Sequence, residues 1–386
     1  MDGALEEEAL NTLEKSALIA MSGGVDSSVA AYLTLREGFR TEGASMRLFH
    51  SEDIGRNPYK TCCSQRDLED AAEVAFRLDI PFEVLDFTAE FREMVMDKFL
   101  RVYQEGGTPN PCLDCNRYLK FDRLFRTAEE KGLSYVVTGH YARVERDPAS
   151  GRYLLKKALD PGKDQSYVLY MLSQEQLSRV RFPLGGLPKA EVRAIAEGLG
   201  FPNARKKDSQ DICFVPDGDY PAFLEKYRGA PLPPGDFLDE AGRVLGRHRG
   251  AAAYTLGQRK GLGLSLGAPV YVFRKDMARN TVSVGPERLL YSDTLEAEEL
   301  NWIAIPGLEA PLRVKAMTRY RKPEQDAALL PLGKDRVRVR FDAPQRGLTP
   351  GQAVVFYRGD TVVGGGTICR VGNGEETPET WEGPMT

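Results

Sequence analysis

Residues 22–28 read Ser-Gly-Gly-Val-Asp-Ser-Ser, between a short apolar run, Ala17 to Met21, and a segment of helical periodicity. Two glycines let a backbone turn tightly and aim its N–H groups at an anion. The start of the following helix adds partial positive charge, and Ser27 and Ser28 offer hydroxyl donors. The chemistry that fits is the holding of a phosphate or pyrophosphate. The segment lacks the Gly-Lys-Ser/Thr ending of a Walker A loop, so transfer of a γ-phosphate is not its natural use. Asp26 is a candidate ligand for a Mg2+ on the pyrophosphate.

The second reactive feature is sulfur. The chain has six cysteines: Cys62, Cys63, Cys112, Cys115, Cys213 and Cys369. That is too sparse for a disulfide scaffold, and clustered thiols in a reducing compartment point to metal binding or chemistry. Cys112 and Cys115 lie in Thr108-Pro109-Asn110-Pro111-Cys112-Leu113-Asp114-Cys115-Asn116, where the prolines stiffen a turn ahead of a helix. A helix N-terminus should lower the thiol pKa of Cys115. Cys213 closes the stretch from Lys206 to Phe214, whose lysines would favour its thiolate. Cys62 and Cys63 read as incidental thiols or as receivers of sulfur, and Cys369 as core of a terminal strand.

These residues need a frame. The first 215 residues alternate strand and helix: strands at 17–21, 42–48, 82–86 and around 134–139, helices between them. Thr88 is placed to cap a helix through Tyr103, and 164–179 reads as one helix. The alternation implies a parallel sheet with helices on both faces. Residues 216–285 hold short strands and many glycines, a small, mostly-β central unit. From 286 to 386 period-2 strands dominate, which suggests an antiparallel β-barrel. The fold class is therefore α/β with two β appendices.

Charge and hydropathy set further limits. The chain of 386 residues has 52 basic and 56 acidic side chains, a net charge of -4. No stretch approaches the roughly 20 apolar residues of a bilayer span. The first ten residues are acidic, which argues against a transit peptide and for a cytosolic protein. Two stretches lack acids: 311–323, with Arg313, Lys315, Arg319, Arg321 and Lys322, and 244–260, with Arg247, Arg249, Arg259 and Lys260. They read as phosphate-binding stripes. Tyr254 and Tyr320 are candidates for stacking on nucleotides or for barrel core.

The loop at 22–28 resembles the PP-loop of the ATP pyrophosphatases, which cleave ATP to AMP and pyrophosphate and activate a carbonyl oxygen by adenylation. Two thiols beside such a loop suggest sulfur transfer to the activated carbon. The chain as a whole resembles the tRNA-specific 2-thiouridylase family over residues ~16 to ~370. The motifs are AMSGGVDSS, TPNPCLDCNRYLKF, TGHYAR, KDQSYVLYML, KKDSQDICF, YTLGQRKGLG, TRYR, FDAPQRGLTPGQAVVFY and VVGGGTI.

The resemblance implies ATP-dependent 2-thiolation of uridine 34 in tRNAs for Lys, Glu and Gln. It implies a sulfur donor too, a cysteine desulfurase or a relay protein. It places Ala20, Met21, Ser22, Gly23, Gly24, Val25, Asp26 and Ser27 around the ATP phosphates, with Met46 and Gly139 on the adenosine. It puts Asn110, Pro111 and Cys112 on the flipped target base. Cys213 would carry the persulfide and Cys115 would be the partner nucleophile, with a transient Cys115–Cys213 disulfide. His140, Lys163, Asp164, Gln165, Arg319, Tyr320 and Gln352 fall at tRNA contacts. Many family members have Asp where this chain has Cys112. Cys112, Cys115 and Cys213 are thereby candidate ligands of a [4Fe-4S] cluster, a second mechanism for the same reaction. A zinc site would need Cys62 or Cys63 as well. The rival class is a small-molecule PP-loop ligase, which would explain the glycine turn and neither the thiols nor the basic barrel.

Overall fold

The computed structural model describes residues 14–50, 65–206, 212–215 and 218–372. Cys62 and Cys63 lie outside them. In chain order the first part runs β1 (Ser16–Ala20), α1 (Val25–Arg36), β2 (Arg40–Arg47), α2 (Gln65–Arg77) and β3 (Phe82–Asp86). A helical run follows, α3 (Thr88–Phe91) and α4 (Asp97–Gln104) joined by a π-helical turn at Arg92–Met96. A second run joins α5 (Pro111–Asp114) to α6 (Asp122–Glu130) through π-helical Cys115–Phe121. Then come β4 (Tyr135–Val137), the hairpin β5 (Ala142–Arg146) and β6 (Tyr153–Lys157), α7 (Gln174–Arg179), β7 (Val180–Arg181) and α8 (Lys189–Gly198).

Strands β3, β2, β1, β4 and β7 form a parallel sheet in that order. Ala17, Leu18 and Ile19 of β1 are fully buried, as a central strand covered on both faces requires. Strand order reverses between β1 and β4, and a crevice at their carboxyl ends is where such sheets bind ligands. The glycine turn leaves β1 there and Gly139 leaves β4 there.

Next is α9 (Tyr220–Arg228), packed with the four-stranded sheet of β8 (Gly235–Leu238), β9 (Val244–His248), β10 (Tyr271–Asp276) and β11 (Thr281–Gly285). The last six strands are β12 (Tyr291–Trp302), β13 (Leu312–Met317), β14 (Gln325–Pro331), β15 (Val337–Arg346), β16 (Ala353–Arg358) and β17 (Thr361–Gly372). They pair antiparallel, and β12 also pairs β17, which closes the barrel. The expected fold class is the one observed. What the sequence did not suggest is that the β5–β6 hairpin adds to the barrel sheet through β17, so one apolar cluster runs from Leu18 to Tyr357.

Two local expectations are corrected. Thr88 does not cap its helix: Oδ1 of Asp86 accepts from the Thr88 N–H at 3.1 Å and from its hydroxyl at 2.8 Å, because a carboxylate two residues back closes an Asx turn. Residues 164–179 are not one helix. Asp164 folds the chain back by accepting from Ala158 and Ser166 N–H groups, and Ser173 starts α7 afresh with a capping box to Gln176.

Candidate active site

Gly23 has φ +68°, and a Cβ there would meet the Asp67 carbonyl oxygen at 2.1 Å, so no other residue fits the turn. Gly24 is the N-cap of α1 and supplies no side-chain cap. The first N–H groups of this 12-residue helix are therefore left for an anion, which is the fit that a triphosphate needs. The serine hydroxyls are turned inward instead. Ser27 Oγ accepts from the Ser22 N–H at 3.1 Å, and Ser27 and Ser28 each donate to the Gly24 carbonyl at 3.0 Å. They shape the turn, and main chain is what it offers. Gly139 is the other wall, where a Cβ would lie 2.7 Å from Ser27 N. Ala20 and Met46 end β1 and β2 beside it, and Met46 packs against the apolar clusters on both sides.

Asp26 is not presented to a metal. Lys189 donates to both its oxygens, at 2.7 and 2.8 Å, and the Tyr141 hydroxyl donates to Oδ1 at 2.8 Å. An ammonium held on both carboxylate oxygens takes the place a Mg2+ ligand would need. Asn203 donates to the Gly23 carbonyl at 3.1 Å and to Ser28 at 2.9 Å. Lys206 reaches the Gly23 carbonyl at 3.0 Å and both Asp67 and Asp70 at 2.5 Å. So Lys206 is spent on the glycine turn and on two carboxylates. Lys189 and Asn203 were missed by sequence reasoning. They lie 163 and 180 residues from their partners in no recognisable motif, whereas Tyr141 sits in TGHYAR.

Cys112 and Cys115 lie on the second helical run after β3, and Cys213 in the short described segment 212–215. Asn110 is the N-cap of α5 and Pro111 its first residue, so the helix starts before Cys112. Cys112 is exposed and Cys115 is buried. Burial pushes the Cys115 thiol up to about 11, with only Lys120 pulling the other way. The expected lowering fails because Cys115 sits one turn inside the helical run and is buried in one apolar cluster with Leu119, Phe91 and Phe99. Cys213 packs against this same cluster. Its neighbour Phe214 is 1% exposed and meets Phe91, Phe99 and Phe223 edge-on at 5.5, 5.2 and 5.3 Å. Burying such a ring stabilises by roughly 1.5–3 kcal/mol, enough to hold the Cys213 segment to the apolar cluster that also contains Cys115. Neither thiol is in a disulfide.

Exposure yields a simple expectation. Iodoacetamide at neutral pH should label Cys112 well before Cys115, since the reactive species is the thiolate. Peptide mass spectrometry over time checks it, and equal rates would contradict the burial of Cys115.

Among the described residues no three Cys, His, Asp or Glu side chains come together as a metal site. Cys112 is exposed, Cys115 buried and Cys213 intermediate, a placement that lends the cluster ligand set no support.

The expected tRNA contacts divide. His140 is buried between Phe121 and Phe182, with Nδ1 2.7 Å from the Thr138 hydroxyl. Desolvation pushes its pKa down to about 3, and Lys120 adds to this, so it supports the site as a neutral ring. Gln165 accepts from the Tyr141 N–H at 2.9 Å, and the Tyr320 hydroxyl donates to the Asp164 carbonyl at 3.3 Å. Tyr320 thus joins the barrel to the segment at Asp164. Arg319 donates to the Gly347 carbonyl at 3.0 Å and Gln352 to the Thr108 carbonyl at 2.8 Å.

The acid-free stripes are interrupted by their sheet neighbours. Arg313 pairs with Asp342 at 2.7 and 2.5 Å, Lys315 with Asp326 at 3.0 Å and Arg247 with Asp236 at 3.1 Å. Tyr254 is core of the central unit, 5.1 Å from Phe237, while Tyr320 is exposed. Cys369 is only half-buried, its thiol 3.4 Å from the Glu296 carbonyl at the barrel seam.

Comparison with known proteins adds the lineage. A profile described as tRNA methyl transferase HUP domain matches residues 15–217, a tRNA methyl transferase PRC-barrel domain 221–286 and an aminomethyltransferase beta-barrel domain 292–368. The tRNA-specific 2-thiouridylase MnmA of Symbiobacterium thermophilum is 49% identical over 93% of this chain and 93% of its own. That of Geotalea uraniireducens is 50% identical over 93% of this chain and 96% of its own. A solved 4-thiouridine synthetase–RNA complex with bound ATP aligns with 55% of this chain and 50% of its own at TM-score 0.34 and 20% identity, a likeness too low to bear on function. On identity and coverage, this chain belongs to the tRNA-specific 2-thiouridylase family.

Proposed function

We propose that the chain is a tRNA-uridine 2-sulfurtransferase, which replaces the C2 oxygen of uridine 34 by sulfur in the tRNAs for Lys, Glu and Gln. The observation that carries this reading is the placement of Cys115 and Cys213 against one apolar cluster, in a chain matched over 93% of its length by 2-thiouridylases.

ATP lies on the uncapped start of α1, between the glycine turn and Gly139, with Mg2+ arriving on the triphosphate. The C2 oxygen attacks the α-phosphorus and pyrophosphate leaves. The uracil oxygen, a poor leaving group, becomes part of AMP, a good one. Asn110, Pro111 and Cys112 receive the base, which leaves the anticodon stack at a cost of a few kcal/mol. The terminal sulfur of a Cys213 persulfide attacks C2, the C–O bond breaks and AMP departs. Cys115 then gives up its proton and attacks Sγ of Cys213. The bond between Cys213 and the transferred sulfur breaks, its electron pair stays with that sulfur, and 2-thiouridine is released beside a Cys115–Cys213 disulfide. Two thiols have been oxidised and the sulfane sulfur reduced. A thiol reductant reopens the disulfide, and a cysteine desulfurase or relay protein reloads Cys213.

Burial keeps the Cys115 thiol protonated, so it must give up its proton when it attacks. The cluster mechanism finds no support in the cysteine placement, and thiolation at full rate by colourless, iron-free protein removes it. In this reading the central unit and barrel, 216–285 and 286–386, hold the tRNA while 1–215 does the chemistry, in the cytosol. No described helix is long and apolar enough to cross a membrane.

The test is ATP–pyrophosphate exchange. Exchange that requires unmodified tRNA supports thiolation. Exchange that requires citrulline or XMP assigns the chain to the small-molecule ligases instead. Mass analysis of the nucleoside formed separates thiolation from the methyl transfer named in the profile descriptions.

A further inference from the structure

The segment that would receive the base is gripped from an unexpected side. Gln352 Nε2, on the barrel, donates to the Thr108 carbonyl at 2.8 Å and to the Pro109 carbonyl at 3.2 Å. The Thr108 N–H donates to the Pro350 carbonyl at 3.0 Å. Gly351 has φ +86°, and a Cβ there would meet the Thr108 carbonyl at 3.1 Å and its nitrogen at 3.3 Å. The corner is itself fixed to the barrel wall, since the Gly351 N–H donates to the Ile368 carbonyl and the Ile368 N–H to the Gln352 carbonyl, both at 2.8 Å. The Thr108 hydroxyl is buried without a partner among the described residues, so the grip acts on main chain. An amide group has two N–H bonds, and both of Gln352's point at the segment that leads into Asn110.

We propose that Gln352 is a positioning residue for the reaction: with Gly351 it latches residues 108–109 to the barrel and so sets where Asn110, Pro111 and Cys112 present the base. This rests on the thiolation reading and departs from its assignment of Gln352 to a tRNA contact. A lost contact weakens binding, and excess tRNA restores the rate. A lost latch leaves binding intact and slows every step at the base, because small misplacements of a reacting group cost on the order of tenfold to a hundredfold.

The experiment compares wild type, Gln352→Ala and Gly351→Ala, each shown folded by its melting curve. The second variant removes no polar group, strains the left-handed corner and pushes a methyl against Thr108 and the Val102 side chain. For both variants the expected result is tRNA affinity within about twofold of wild type. Adenylation and single-turnover thiolation fall at least about tenfold at saturating tRNA, and hydrogen exchange at the Thr108 amide is faster without tRNA. Rates that recover with excess tRNA, or unchanged exchange at Thr108, overturn the latch. Failure of the thiolation reading would show separately, as absence of tRNA-dependent AMP from the wild type, and the exchange measurement would still decide the latch.

Discussion

Cys213→Ser abolishes thiolation and leaves tRNA-dependent adenylation, read as ATP–pyrophosphate exchange, within about twofold of wild type. The expectation follows from what each group touches. The glycine turn, Gly139 and the start of α1 handle ATP, and the turn is shaped by hydrogen bonds among Ser22, Gly24, Ser27 and Ser28. Phe214 does the anchoring, so the Cys213 segment stays seated when sulfur becomes oxygen. Only the acceptor of the sulfane sulfur is lost, and a serine hydroxyl cannot carry a persulfide. Cys115→Ser separates the steps further: sulfur should reach C2 and then remain bridged to Cys213, so a covalent protein–tRNA adduct builds up. Loss of both activities in folded Cys213→Ser protein would contradict this order of events.

Asp26→Ala should remove adenylation and thiolation together, by on the order of a hundredfold or more. Asp26 is the second residue of α1, where its own N–H belongs to the anion-binding set, and its carboxylate holds Lys189 and Tyr141 under the turn. The Lys189 side chain is 10% exposed and that of Asp26 30%. Removing the carboxylate takes from a mostly buried ammonium the group that holds it through both oxygens. A fully buried broken pair costs about 3–5 kcal/mol, and the partial exposure of Asp26 brings this nearer to 1–3 kcal/mol. Lys189→Met should resemble Asp26→Ala, and the double variant should be no worse than either single one, since all three break one contact. Pyrophosphate exchange and single-turnover assays read both activities. Additive losses would mean that the two residues act apart.

The site was readable where chemistry is written in local sequence. Gly23, Gly24 and Asp26 follow a fully apolar strand, Cys112 and Cys115 sit in a segment dense with proline and asparagine, and Cys213 closes a lysine- and aspartate-rich one. What local sequence does not carry is which distant side chain completes a contact. Lys189 against Asp26, Asn203 against Gly23 and Gln352 against Thr108 join residues 163, 180 and 244 positions apart. The same blindness produced the errors. Arg313 and Lys315 looked like an unopposed stripe because Asp342 and Asp326 reach them across the sheet. Cys115 looked activated because its helix appeared to start later than it does, and its burial depends on Phe91 and Phe99 of another element. His140 is in a motif that belongs to the site, and its ring faces inward.

The most direct test follows one sulfur atom. Protein loaded with radiolabelled persulfide at Cys213, freed of small-molecule sulfide and mixed with ATP and unmodified tRNA, is stopped within a single turnover. Label should pass to the tRNA in step with AMP, and a Cys115–Cys213 disulfide should appear at the same rate. Label that stays on the protein while AMP accumulates, or that reaches tRNA from protein lacking the Cys213 thiol, would place the sulfur chemistry elsewhere.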